Sequence, residues 1–407
     1  MTKDVVLKHR DFALLWFGQL VSQLGNQFNY IALAWLVLVT TGSSAAMSGV
    51  FLAQVLPNAL FGWFAGVAVD RCDRRRLMLA TDWLRAGLVL SLPGLALAGA
   101  LPLAAIYTVT FLVSSLSLLF YASEKSILPN LVSHDELTEA NAYSEMTAQA
   151  AGLAGPVLAG LLVAVLPSPV YVLFLDAASF VVSALMLLAV GWRDQPRAAE
   201  WLRPGQLVGE GLAGIRYLVR GRFLRIVFLT ATAANFLVMP FAVVFPVYAQ
   251  QVLAAGAAGF GWLMGGIGAG MLLGSLAAGW LARRCKPAAI IYAGMAMLGV
   301  SFAVMAQLEA LVPAVLLAAL AGFGVSPGNA VILTLVQRTT PEEMQGRVFA
   351  SLFAVVGMAA PLGVGLAGPL LAVVGPANLL GWIGGLTLVA AGWGYLLLVD
   401  QPEPVVA

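Results

Sequence analysis

Twelve long apolar runs alternate with short polar turns along the chain. They cover approximately residues 12–39, 45–69, 77–98, 103–124, 141–166 and 169–191, then 223–249, 257–282, 288–307, 311–336, 347–373 and 377–399. A helix needs about 20 mostly apolar residues to cross a bilayer, and these runs meet that need. Period-2 alternation is absent and the runs are too long for barrel strands, so the pattern predicts an all-α integral membrane protein with twelve transmembrane helices. Composition agrees: of 407 residues 61% are apolar and 10% charged, with a mean hydropathy of +0.94. The first run is too long for a cleavable signal peptide and lacks a small-residue cleavage site, so it is expected to be retained.

The basic residues lie on one side of this pattern. Lys3, Lys8 and Arg10 precede span 1, Arg71, Arg74, Arg75 and Arg76 join spans 2 and 3, and Lys125 follows span 4. Seven arginines from Arg193 to Arg225 surround the middle of the chain; Arg283, Arg284 and Lys286 join spans 8 and 9, and Arg338 and Arg347 bracket the turn between spans 10 and 11. With Arg85 near the same end of span 3, all 21 Lys and Arg residues fall on one face. That face is expected to be the cytoplasm, with both termini in it. The net charge of +2 therefore reports topology and not a nucleic-acid partner. Cys72 and Cys285 stand one to a loop, too sparse for a zinc site.

The longest polar stretch, GWRDQPRAAEWLRPGQLVGEGLAGIRYLVRGR (191–222), divides the runs into six and six. Its second part interleaves Leu207, Leu212, Ile215, Leu218 and Val219 with Glu210, Arg216 and Arg220, the pattern of a helix lying on the inner leaflet. The expected organisation is a six-helix bundle over 1–191, a linker with an amphipathic helix over 192–222, and a second six-helix bundle over 223–407. The halves also resemble each other: GVAVDRCDRR (66–75) aligns with GWLARRCKPA (279–288), and AGPVLAG (154–160) with AGPLLAV (367–373), in equivalent order. A parallel repeat of this kind predicts two pseudo-symmetric bundles.

Twelve spans, a six-plus-six repeat and a Gly-x-x-x-Asp-Arg-x-x-Arg-Arg loop after span 2 resemble the major facilitator superfamily, whose loop signature is matched by Gly66, Asp70, Arg71, Arg74 and Arg75. The stretches 56–87, 128–142 (LPNLVSHDELTEANA) and 336–348 (VQRTTPEEMQGRV) further resemble its bacterial branch of macrolide-efflux and enterobactin-exporter proteins. The resemblance covers essentially the whole chain. It implies a secondary transporter in the bacterial inner membrane, working by alternating access as a monomer. Its leading expectation is proton-coupled efflux of an amphipathic drug, macrolide or siderophore-like molecule; an uncoupled facilitator or an uptake transporter is the alternative. In that family the acid of the loop, here Asp70, faces the positive N-terminal end of span 11 and latches the inner gate. Asp73, where the family usually has glycine, is expected to pair within the loop.

Ionisable residues inside spans are costly and so are candidates for function. In the first half these are Asp176 of span 6, with Ser179 and Ser183 on its helical face, Asp82 of span 3, spaced to pair with Arg85, Glu124 at the end of span 4 and Glu145 at the start of span 5. The second half has no embedded acid, so a proton site is expected among Asp176, Glu124, Glu145 and Asp82. Many proton-coupled relatives carry an arginine in span 4, whereas YTVTFLVSSLSLLFYASE (107–124) has none. The family lines its cavity with spans 1, 4, 7 and 10. Span 1 has a neutral stripe of Gln19, Gln23, Asn26, Gln27 and Tyr30 on one face, span 7 offers Asn235, Met239, Phe241, Phe245 and Tyr248 with Pro240 and Pro246 to bend it, and span 10 offers Ser326 and Asn329. Amide, aromatic and methionine groups without fixed charge suit a sizeable amphipathic molecule.

An intramembrane hydrolase is the remote alternative, because Gly324-Val325-Ser326-Pro327-Gly328 matches G-x-S-x-G. A serine nucleophile needs a base, and the histidines, His9 and His134, lie outside the spans. No Walker A loop, Rossmann glycine pattern or HExxH motif occurs, so no catalytic residue, cofactor or metal is expected.

The latch reading generates one test. Asp70→Asn should slow turnover with near-normal expression, and spin-label distances between the inner ends of spans 2 and 11 should lengthen. Unchanged distances with normal transport would leave the loop as a topology signal alone.

Overall fold

The computed structural model describes residues 8–69, 71–192 and 215–398. Asp70 and the linker residues 193–214, with Leu207, Glu210 and Leu212, lie outside them. Among the described residues the apolar runs form thirteen α-helices: α1 (Arg10–Thr41), α2 (Ser44–Val69), α3 (Arg74–Leu97), α4 (Leu103–Ile127), α5 (Leu137–Val165), α6 (Val170–Ala189), α7 (Arg222–Val238), α8 (Phe241–Gln251), α9 (Gly256–Arg284), α10 (Pro287–Met305), α11 (Leu311–Thr339), α12 (Glu342–Val374) and α13 (Pro376–Leu398). Thirteen helices make twelve crossings because span 7 is broken at Met239 and Pro240. A proline has no amide hydrogen and its ring crowds the preceding turn, so α7 ends there and α8 completes the same crossing, Leu224–Gln251.

Ten of these crossings are long and apolar enough to span a bilayer by composition alone. The other two, α1 and α3, have the length, at 32 and 24 residues. Their apolar character is diluted by the amide stripe of α1 and by Asp82, Arg85 and three leading arginines of α3. Gln19, Asp82 and Arg85 are buried inside the protein, so these two helices present their polar side chains inward.

The chain divides into two compact units, Met1–Gly42 with Ala53–Trp201, and Ser43–Leu52 with Leu202–Ala407. In the first, α1 packs on α5 and α6, and α3 packs on α4 and α6. In the second, α7 packs on α12 and α13, and α10 packs on α11 and α13, with α9 against α11. Counting α7 and α8 as one crossing, the pairings 1–5, 1–6, 3–4 and 3–6 of the first unit recur as 7–11, 7–12, 9–10 and 9–12 of the second. The internal repeat is thus visible in the packing as well as in the sequence. The first turns of α2 belong to the second unit, where Ser44 Oγ donates to the Gly368 carbonyl at 2.9 Å and Ser48 Oγ to that of Val364. Gly368 and its repeat counterpart Gly155 are both close-approach positions: a Cβ on Gly368 would meet Ala45 and Ser48, and one on Gly155 would stand 2.6 Å from Gln27 Cβ.

Where no water separates helices, association depends on close backbone approach. Gly266, Gly270 and Gly274 give α9 such a seam against α11; a Cβ on Gly270 would collide with the Ala319 carbonyl oxygen.

The charged turns also have local partners. Asp73 caps α3 by accepting the Arg76 N–H at 2.9 Å and pairs with Arg76 Nε at 3.3 Å, the pairing within the loop that the sequence predicts. Arg75 donates to the Leu187 and Leu188 carbonyls at 3.1 and 2.9 Å, capping the C-terminal end of α6. The described end of the linker, residues 215–220, is helical. In it Leu218 is buried with Val336, Val348 and Leu352, and Tyr217 Oη donates to the Thr339 carbonyl at 2.5 Å. Val336 of α11 and Val348 and Leu352 of α12 offer these side chains a close-packed apolar surface.

Gly270→Val should cost about 3 kcal/mol, the upper range for overpacking, and lower the unfolding temperature in detergent. Gly279→Val, where nothing lies within 4 Å, should leave it unchanged. Equal stability of the two variants would remove the seam from the account of how α9 and α11 hold together.

Candidate functional site

The first unit gathers its embedded charges around one side chain. Arg85 of α3 is 2% exposed and pairs through Nη2 with Asp82 Oδ1, one turn earlier on the same helix. Its guanidinium lies between the rings of Phe120 of α4 and Phe180 of α6, 4.4 Å from each centroid. Nη1 reaches Ser117 Oγ of α4 at 3.4 Å. Span 4 has no arginine of its own, and a cation reaches it from α3. Glu124 and Asp176 also stand within electrostatic reach of this guanidinium. Three carboxyl groups, all buried, therefore surround one arginine.

The cluster is only partly satisfied by hydrogen bonds. Asp176 is fully buried; its Oδ2 accepts from Asn29 Nδ2 at 2.5 Å, while Oδ1 has no hydrogen-bond partner among the described residues. Asp82 Oδ2 and Ser183 Oγ stand near each other without closing a hydrogen bond. Gly25 makes the α1–α6 approach possible, because a Cβ there would overlap Ser179 Oγ and stand 2.8 Å from Asp176 Oδ1. Glu145 is placed differently: it is exposed on the first turns of α5 and accepts from Gln149 at 3.1 Å. It does not join the buried acids, because it lies on an exposed face of α5.

Beside this cluster the first unit holds a cavity of about 230 Å³. Asn26, Asn29 and Tyr30 of α1, Gln54 of α2 and Thr110, Ser114 and Ser117 of α4 supply its polar wall. Asn29 and Ser117 thus face the cavity and also bind Asp176 and Arg85. Of the predicted α1 stripe, Asn26 and Tyr30 line this space. Gln19 and Gln23 do not: Gln19 is buried with its Nε2 unpartnered, and Gln27 is turned toward Gly155 of α5. A stripe recurring every three or four residues winds slowly around an α-helix, so its ends meet different neighbours.

The second unit has a less polar cavity of about 180 Å³, whose lining includes Asn235 and Met239 of α7 and its break, Met295 of α10 and Asn329 of α11. Asn235 and Asn329 both line it. Phe241 and Phe245 are not on its wall. Phe245 is fully buried, and the two rings cluster with Phe302 of α10, Phe245 edge-on at 5.8 Å and Phe241 tilted at 6.2 Å. After the break at Pro240, α8 carries Phe245 into the core with Phe241 partly buried beside it. Tyr248 likewise holds the end of α10, its Oη donating to the Met305 and Leu308 carbonyls at 2.6 and 2.8 Å. The G-x-S-x-G match lies within the continuous helix α11, where Gly324 lets the backbone of α10 pass at Gly294; helix packing accounts for Gly324.

Sequence reasoning overlooked Asn29 and Gln54 and treated Arg85 as a local partner of Asp82. Asn29 had a signal, since it follows Asn26 by three residues on the amide face of α1. The position of Arg85 against two other helices had none, because it depends on how α3, α4 and α6 meet.

Comparison with known proteins agrees with this architecture. The family model MFS_3, described as "Transmembrane secretion effector", matches residues 5–392. The chain belongs to the major facilitator superfamily. This major facilitator chain is 30% identical to the multidrug efflux pump Tap of Mycolicibacterium fortuitum over 374 residues, 89% of this chain and 90% of that protein. It is 28% identical over 370 residues to macrolide efflux protein A of Streptococcus pyogenes, covering 87% of each. The crystal structure of the nucleoside transporter NupG has the same fold, with a TM-score of 0.78 at 12% identity over 96% of this chain and 100% of that one. The protein is accordingly a multi-pass membrane transporter of the macrolide-efflux branch, not an enzyme.

In this major facilitator chain Arg85→Met should lose about 3–5 kcal/mol, because it leaves Asp82 buried without its counter-charge, and adding Asp82→Asn should restore most of the loss. Thermal unfolding of the purified variants measures both. A single variant as stable as the parent would mean that the pair does not hold α3 in place.

Proposed function

We propose that this transporter is a proton-coupled exporter of amphipathic small molecules in a bacterial cytoplasmic membrane, working by alternating access with both termini in the cytoplasm. The efflux direction is supported by the efflux pumps among its relatives, and the orientation by the gathering of basic residues on one face. The observation that carries the coupling is Asp176: a fully buried acid, bonded through one oxygen to a residue of the cavity wall and without a hydrogen-bond partner among the described residues at the other.

In this mechanism a proton enters by way of the polar cavity and resides on Asp176. Asn29 orients the carboxyl group, and Arg85 balances the negative charge that remains when the proton leaves. Asp82, Glu124 and Asp176 stand around one guanidinium with Lys125 beside Glu124, so three acids face two cations and one acid is left for a proton to neutralise. Loss or gain of that proton changes the electrostatic fit of α1, α3 and α6 and so favours one orientation of the transporter over the other. The gate is the turn between α2 and α3, with Gly66, Asp70, Arg71, Arg74 and Arg75. Substrate contact falls to the amide groups Asn26, Asn235 and Asn329 with Tyr30 and Met239. The absence of fixed charge on these walls suits drug-like or macrolide-like molecules better than phosphates or dicarboxylates, which call for an arginine clamp.

Purified protein in liposomes tests the reading, with macrolide or dye movement followed with and without a pH gradient. Asp176→Asn keeps an acceptor for Asn29 and imitates the protonated acid. It should retain substrate exchange while gradient-driven efflux falls to the rate seen without a gradient. Normal pumping by the variant would move the proton site to Glu124 or Asp82. Efflux by the parent that ignores the gradient would make it an uncoupled facilitator.

A further inference from the structure

A second kind of site lies toward the basic end of the second unit, on the other side of Gly324 from the Asn235–Asn329 cavity. An open crevice of about 220 Å³ runs between α9, α10 and α11, lined by Leu281, Ala293, Met297, Phe323 and Pro327 among others, with Cys285 at its mouth. Its walls are apolar. Gly294 and Gly324 bring the backbones of α10 and α11 together along its floor, so the crevice cannot close by moving these helices further inward.

The mouth has the opposite character. Arg283, Arg284 and Lys286 flank Cys285, and all three are exposed. Arg284 lies over the ring of Trp280 at 4.8 Å, placing an aromatic group that favours a membrane interface beside the cations. No acid balances them within 279–288, whereas the repeat-related stretch 66–75 contains Asp70 and Asp73, and Asp73 pairs with Arg76. One repeat thus carries its own anions, and the other carries three exposed cations on either side of Cys285, which lines the apolar slot.

We propose that this slot binds one anionic phospholipid, its phosphate held by Arg283, Arg284 and Lys286 and an acyl chain lying in the crevice. The two-part chemistry identifies the ligand class. A free phosphate leaves the apolar walls unused, and a zwitterionic lipid places its own ammonium among the cations. Basic pockets between transmembrane helices bind anionic head groups for the same reason. The bound lipid fills the gap between α9 and α10 and ties this end of the second unit to the membrane surface.

Native mass spectrometry of the full chain, released from micelles containing phosphatidylglycerol and phosphatidylcholine, tests the site. One phosphatidylglycerol should be retained about tenfold more strongly than phosphatidylcholine. Replacing Arg283, Arg284 and Lys286 together by glutamine should abolish the preference. Ala293→Trp, which fills the crevice and keeps every charge, should lower phosphatidylglycerol retention as well, and inorganic phosphate should not displace the lipid. Equal retention of the two lipids, a preference that survives the glutamine substitutions, or retention unaffected by Ala293→Trp would each overturn the proposal. Full displacement by phosphate would overturn it too, since an acyl chain would then contribute nothing.

Discussion

A polypeptide in hydrocarbon must satisfy its polar groups internally, and this structure follows from that constraint. The backbone does so by forming helices throughout the crossings. Side chains that cannot be satisfied by their own helix are turned inward, and Arg85 is the center of the largest such group. Its guanidinium needs a counter-charge, supplied by Asp82, and flat contact surfaces, supplied by Phe120 and Phe180. Those three partners bring α3, α4 and α6 to one point. Asp176 and Asn29 extend the arrangement to α1.

The two units solve the problem of helix association differently. In the first, buried polar and charged groups meet across helices, with Gly25 clearing the space they need. In the second, glycine seams along α9–α11 and α10–α11 bring backbones together, and an aromatic cluster at Phe241, Phe245 and Phe302 fills the rest. Both units nevertheless repeat the same pairings of crossings. A shared packing plan with divergent chemistry leaves one half rich in titratable groups and the other in apolar surface. That division matches the assignment of proton handling to the first unit and of much of the amphipathic contact to the second.

The charged turn after α2 shows how one stretch can carry several physical roles. Its arginines bias topology, yet Arg75 also caps the carbonyl end of α6, and Asp73 caps α3. Cations at helix C-termini and anions at N-termini are favoured by the helix dipole, so a turn crowded with both signs can fasten two helix ends at once. The repeat-related turn after α9 lacks the acids, and its three cations are left exposed on either side of Cys285, which lines an apolar slot.

The sequence alone determined what depends on local pattern. Run length and the placement of arginines specified helices and crossings, and the aligned stretches after spans 2 and 8 revealed the repeat, because hydrophobicity and charge act along the chain regardless of neighbours. It also listed the costly side chains, since any acid within a span is conspicuous. Only the tertiary structure decided which of them belong together. Asp176 and Asn29 are 147 residues apart in sequence, and no periodicity links them. Phe245 and Asn235 occupy the same predicted span, yet past the break at Pro240 the first lies in the core, and before it the second lines a cavity wall. Glu145 and Glu124 read alike as acids near span ends, but α5 turns the first outward and α4 turns the second inward toward Arg85. The rotation of a helix about its axis is set by what packs against each face, and that information resides in the other helices.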